Sequence, residues 1–148
     1  MAWNEGGRVK AAFMDTISDP FDLGLATAMP VYVAAGMNEF AVAWQGDDGY
    51  VRVGRIPYQG NERQTLMLNG VQYRSINGMV AISEGYLIAF RHQNTQQIAL
   101  VSTDFTQWHL VDNSQNWRMF YGYASLDIQD AHTGRIVWQT AESLISHK

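Results

Sequence analysis

Cysteine is absent from the 148 residues. Its absence excludes disulfide frameworks, thiol nucleophiles, thiolate zinc sites and iron–sulfur clusters. Charge is sparse as well: Asp, Glu, Lys and Arg make up only 16% of the chain, and Lys10 and Lys148 are its sole lysines. No apolar run approaches the roughly 18 residues that a helical membrane span needs, so no membrane span is expected. The net charge is −4 and the basic residues are scattered, with only Arg52 and Arg55 close together. Phosphate neutralisation needs clustered Lys and Arg, so no nucleic-acid partner is expected. The first seven residues lack the pattern of a secretory signal. Synthesis in the cytoplasm is expected, with later release or incorporation into a virion left open.

What is present is apolar: 47% of residues are hydrophobic and 12% aromatic. That composition specifies a folded globular chain, and the length specifies a single domain, residues 1–148. Eight of the ten basic residues are Arg. Arg is enriched and Lys depleted at protein interfaces, which points towards burial against a partner.

The chain reads as strands almost throughout. Residues 31–35, 40–45, 50–56 and 65–68 are separated by the Gly46-Asp47-Asp48-Gly49 turn, expected as a type I′ hairpin turn, and by a looser connection through Pro57 and Gly60. The order then starts again with residues 79–82, 86–91, 98–101 and 109–111, the Asn69-Gly70 turn lying between the two runs. Two short helical turns are expected, one beginning at Ser18 and one over residues 140–145.

Superposition exposes a repeat. Phe40, Val42, Trp44 and Gln45 fall on Tyr86, Ile88, Phe90 and Arg91 at an offset of 46. Ile136, Trp138 and Gln139 fall on Ile88, Phe90 and Arg91 at an offset of 48. The following strand recurs at residues 9–12, 51–54 and 98–101, and the preceding one at 31–35, 79–82 and 126–128. With the four strands of a unit labelled A to D, the chain reads C-D, A-B-C-D, A-B-C-D, A-B, or three units of about 46 residues.

The fold class is therefore all-β, built of antiparallel four-stranded repeats. A β-trefoil and a β-propeller both fit four-stranded units. Several segments, among them residues 40–44, 86–90 and 98–101, are apolar on both faces. Strands with one wet face alternate instead. The expectation is a β-propeller-like arrangement with β-trefoil as the alternative. Three blades do not close a ring, so completion by oligomerisation is expected: a homodimer forming one six-bladed ring with two shared blades.

Residues 79–91, followed by Ser102-Thr103-Asp104 and Trp108, resemble a blade of the sialidase-like propellers. That family carries an "Asp box" of the form Ser-x-Asp-x-Gly-x-Thr-Trp. Here the glycine is absent and the Trp comes one residue early. The resemblance implies a structural role: the Asp caps a turn and the Trp packs beneath it. Arg55-Ile56-Pro57 is similar to the Arg-Ile-Pro that opens sialidase catalytic domains, where the Arg belongs to a three-arginine cluster that holds a carboxylate. No nucleophilic Tyr–Glu pair is assignable from the sequence.

The histidines, His92, His109, His132 and His147, match no metal-ligand spacing, and no nucleophile elbow or phosphate loop occurs. Asp47 and Asp48 read as turn residues. Glu39 and Glu84 fall at similar places in the A–B turns and read as exposed turn acids rather than the carboxylate pair of a glycosidase. Trp44, Phe90 and Trp138 read as rings filling the space between blades, although repeated aromatics beside Gln45, Arg91 and Gln139 also suit sugar stacking. The ligand-binding candidates are Arg91, His92, Trp108, His109 and Trp117, taken to gather at one loop end. No catalytic residue, metal or cofactor is assigned. The expected function is non-catalytic binding and assembly with lectin-like glycan recognition. The alternatives are a structural ring or fibre component of a virion or tail-like particle and a sialidase-like glycosidase fragment. The expected partners are a second copy of the chain or a larger assembly, and a glycan.

Overall fold

The computed structural model describes residues 1–16, 19–27, 30–60, 62–68, 75–92, 95–110, 123–128, 134–139 and 144–147. The chain is all-β. The first sheet comprises β1 (Ala2–Glu5), β2 (Arg8–Ala11) and β3 (Phe21–Leu25), and the second β4 (Tyr32–Ala35), β5 (Glu39–Gln45), β6 (Val51–Pro57) and β7 (Gln64–Leu68). The third is β8 (Ser75–Ile82), β9 (Gly85–His92), β10 (Thr95–Ser102) and β11 (Trp108–Leu110), and the fourth β12 (Tyr123–Ile128), β13 (Gly134–Gln139) and β14 (Leu144–His147). Each sheet is an antiparallel meander in chain order.

The repeat is visible in the pairing. Ala35 pairs with Phe40 and Ala81 with Tyr86; Val33 pairs with Val42 and Met79 with Ile88. The offset of 46 thus holds for the first two strands of a unit. For the third strand it is 45, since Ile56 lies opposite Phe40 and Val101 opposite Tyr86. The expected alignment of residue 51 with 98 is therefore two positions out, a slip that preserves which face each side chain occupies.

The described residues form four sheets, where three units are expected. β1 pairs with β2 over four residues, with Trp3 opposite Lys10 and Asn4 opposite Val9. Trp44 and Gln45 stand likewise opposite Arg52 and Val51. Trp3-Asn4 is thus a further copy of the aromatic–amide pair, one that a four-residue strand was too short to reveal by pattern. The expected two-stranded halves at the two ends thus have three strands each among the described residues.

Of the helical expectations, Ser18 and residues 140–143 lie outside the described residues, and the described ends are not helical. Met14–Thr16 forms a single 3-10 turn, and Phe21 begins β3. Leu144 and Ile145 lie in β14, paired with β13. The 46–49 turn is a hairpin turn but not type I′, which needs positive φ at two central residues. Gly49 has φ +86°, whereas Phe105 is the one described non-glycine residue with positive φ. Gly49 N–H donates to Gly46 O, and Gly46 N–H to Tyr50 O, which closes a three-residue loop on a left-handed glycine. The Asn69-Gly70 turn lies outside the described residues.

Packing explains the doubly apolar strands. On one face of the second sheet, Ala41, Ala43, Val51 and Val53 pack with Ile76, Tyr86, Ile88 and Phe90 of the third. On the other face, Phe40, Val42, Trp44 and Ile56 pack with Val9 and Ala11 of the first. The second sheet is therefore sandwiched between its neighbours, which a strand alternating apolar with polar could not be. Trp44 and Phe90 are each turned towards the preceding sheet and are buried. Gly54 faces the Trp44 ring, where a Cβ would sit 3.2 Å from it. Trp44 Nε1 donates to Leu25 O at 3.2 Å, which satisfies the indole on burial. Strand β8 lies against both β4 and β12, so the first strands of the second, third and fourth sheets are neighbours.

Candidate functional site

A cleft of about 770 Å³ opens between the second and third sheets. It sits at the end of the sheets that carries the β4–β5, β8–β9 and β10–β11 turns. Its volume falls in the range of ligand sites, roughly 300–1,000 Å³. Met37 and Asn38 come from the first of these turns, Ser83 from the second, Thr103 and Asp104 from the third.

The floor is polar and already bonded. Glu39 begins β5 and is the buried charged residue of the described core, 7% exposed. Alternation along β5 puts it on the same face as Ala41, towards the third sheet. There Tyr86 Oη donates to Glu39 Oε1 at 2.7 Å, and Arg55 Nη2 lies 3.4 Å from Glu39 Oε2. A buried carboxylate without such partners would lose several kcal/mol of hydration. Arg55 Nη1 also donates to Gln64 Oε1 at 3.3 Å, and its Nε is buried without a hydrogen-bond partner. Burial first, and the bond to Glu39 second, push the Tyr86 hydroxyl far above the ordinary phenol range. Tyr86 is a neutral donor at every physiological pH.

Glycine makes this approach possible. A Cβ on Gly36 would collide with the Tyr86 hydroxyl and lie 3.2 Å from Glu39 Oε1. Gly36 is also tied to the turn: its N–H donates to Glu39 O, and its carbonyl accepts from Tyr58 Oη.

The β10–β11 turn forms the remaining wall. Asp104 Oδ1 accepts from Ser102 Oγ (2.6 Å), Thr106 Oγ1 (2.8 Å) and Thr106 N–H (3.1 Å). These bonds favour the ionised form and lower the Asp104 pKa to about 2, the Ser102 hydroxyl contributing most. Phe105 takes φ +58°, a strained conformation for an aromatic residue, while its ring is buried 5.5 Å from that of Tyr86. Asp104 thus caps a turn, and Trp108 packs half-buried against the core.

Not all the sequence candidates meet. Trp108 pairs with Val101 and His109 with Leu100 in the third sheet, near the cleft end. Arg91 pairs with Gln96 and His92 with Thr95, at the opposite end of the same strands. Five residues along β9 separate the Tyr86 row from Arg91, about 17 Å at strand rise. The expected gathering at one loop end is thus corrected by the antiparallel register, which sends the β9–β10 turn and the β10–β11 turn to opposite ends. His109 is exposed; Trp117 lies outside the described residues. Arg91 Nε is buried without a hydrogen-bond partner. Trp44 and Phe90 are core rings, as the packing reading expects, and present no face to a sugar.

Glu39 is also corrected: it is a buried strand residue, whereas Glu84 is an exposed turn residue bonded to Ser83 Oγ. By the offset of 46, Glu39 corresponds to Gly85 and not to Glu84. The Tyr86–Glu39 pair escaped sequence reasoning, but it left a trace. Tyr86 is the copy of Phe40, and a hydroxyl added at a buried repeat position requires an acceptor.

Among the described residues no group of three or more His, Asp or Glu side chains is placed to hold a metal ion, and no helix is long and apolar enough to cross a membrane. Compared with protein-family models, curated proteins and solved structures, the chain matches none.

Proposed function

We propose that the chain is a non-catalytic binding and assembly protein, with sheets arranged as in a β-propeller and lectin-like recognition of a glycan. One observation carries the binding part: an open cleft between two sheets, lined by turn residues, over a floor whose charged groups are already bonded to one another. Such a floor is built to hold its shape and not to react. A tyrosine nucleophile needs an accessible oxygen and a lowered pKa; the Tyr86 hydroxyl is buried and shifted the other way. Arg55 is engaged by Glu39 and Gln64, away from any described arginine cluster. These features weigh against the sialidase-like alternative.

Four meanders among the described residues, the first strands of the second, third and fourth being neighbours, and sheets packed face to face support the propeller-like arrangement over the β-trefoil. Assembly is supported by large apolar side chains left in the open. Leu25, Val33 and Leu110 are each at least 43% exposed, and Val33 shares its face of the second sheet with buried Val42. The partner proposed for them is a second copy of the chain.

A glycan array and sedimentation velocity test the two parts separately. The proposal expects selective retention of some glycans and a mass above that of one chain. Retention of none removes the lectin reading, and a monomer at micromolar concentration removes the assembly reading.

A further inference from the structure

We propose that the open side of the first sheet receives the fourth sheet of a second copy, head to tail; the inference rests on the assembly reading above and names its surface. This side of the first sheet is a copy of a face that the chain covers elsewhere. Trp3 stands opposite Lys10 in register, as Trp44 stands opposite Arg52. Lys10 bonds to Asp22, and Arg52 to Asp48. Ala2, Val9 and Ala11 pack towards the second sheet. Alternation therefore puts Trp3, Arg8 and Lys10 on the side away from it. Leu25 lies opposite Arg8, on that same side, and is 50% exposed.

Trp44 and Phe90, each turned towards the preceding sheet, are 1% and 0% exposed. Trp3, at the same repeat position, is only half-buried and belongs to neither described core cluster. An indole left on an open sheet face keeps a large apolar area in water. What covers it follows from the junctions inside the chain. Trp44 packs with Val9, Ala11 and Ala26, and Phe90 with Ala41, Ala43 and Val53. The ring of one unit thus meets small and β-branched residues of the unit before it. The sheets form a row: first against second, second against third, and β8 of the third against β12 of the fourth. Among the described residues the fourth sheet ends that row. In sequence Val137 is the copy of Ala43 and Ala89, and its β13 position lies opposite Ser125. The junction that joins successive sheets within the chain therefore continues from the fourth sheet of one copy to the first sheet of the next. Such a contact is heterologous, each copy giving one surface and receiving on another.

The test is sedimentation velocity of the full chain at micromolar concentration. Trp3→Lys and Leu25→Lys each place a charge on the receiving face, the second at an exposed position where the fold has little to lose. Val137→Lys places one on the giving sheet, at the register position that Ala43 holds in the second sheet. Circular dichroism checks that the variants fold. Met67→Lys, at a 40% exposed residue on the outermost strand of the second sheet, is the control. The expected result is association of the unmodified chain and of the control, with association weaker by about tenfold or more in each folded variant alone. Mixing a receiving-face variant with Val137→Lys should restore pairing, because the mixture retains one intact junction. Association that both receiving-face variants preserve overturns the surface while the assembly reading stands. Folded variants that dissociate alone and do not pair on mixing overturn the head-to-tail contact with the fourth sheet. A single chain at every concentration overturns both the surface and the assembly reading.

Discussion

Tyr86 Oη donates to Glu39 Oε1 at 2.7 Å across the junction between the second and third sheets, joining residues 47 apart in sequence. The bond lies at the cleft floor and couples the site to the packing of the two sheets. Replacing Tyr86 by Phe keeps the ring and leaves a buried carboxylate oxygen unpaired. Hydrogen bonds to charged groups contribute about 1.5–3 kcal/mol, and urea denaturation of Tyr86→Phe should show a loss in that range. A loss under about 0.5 kcal/mol would show that the bond contributes little.

Gly36 gives a non-additive test of the same contact. Gly36→Ala places a methyl group against the Tyr86 hydroxyl and close to Glu39, and it should destabilise the chain. In the Tyr86→Phe background the colliding atom is gone. The cost of Gly36→Ala, measured by urea denaturation, should therefore be smaller there than in the unmodified chain. Equal costs would place the strain elsewhere.

Trp44 should dominate the packing of the first sheet on the second. Its ring is almost wholly buried against that junction, and Trp44→Ala should cost about 3–5 kcal/mol in a denaturation experiment. Gly54→Ala pushes a methyl group to 3.2 Å from the same ring. It should cost about 1–3 kcal/mol, because the ring is held by Leu25 O and has little freedom to retreat.

Two turn carboxylates make stability depend on acid pH. Asp48, bonded first to Arg52, and Asp104, bonded first to Ser102, each have a pKa of about 2. An unfolded Asp titrates near 3.9. Folded values below the unfolded one mean stability that is present above about pH 4 and is lost as pH falls through about 2. The urea midpoint should fall between pH 4 and pH 2. Asp104→Asn should be less stable than the unmodified chain at pH 6, with the gap narrowing by pH 2. Both residues are on the surface, so salt should weaken the effect. A gap independent of pH would contradict it.

Much of the fold was legible because the strands are apolar on both faces, and residues 40–44 could only belong to a sheet covered twice. The offset of 46 was legible because Phe40, Val42 and Trp44 have close copies in Tyr86, Ile88 and Phe90. β1 was not, since four residues hold too little pattern, and Trp3-Asn4 reads as a copy only once its pairing with β2 is known. Leu144 and Ile145 suited a helix locally, but pairing with β13 decides their state. The site was hidden for a different reason. Glu39 and Tyr86 belong to different sheets, and no spacing within one unit announces their contact. Arg91 and Trp108 lie close in sequence, yet the antiparallel register sends them to opposite ends of one sheet.

The account stands on binding without turnover. Its most direct test incubates the full chain with a labelled oligosaccharide library and follows bound fraction and chain length together. The account predicts oligosaccharides retained at unchanged length. Shortened products, or no retention of any member, would contradict it.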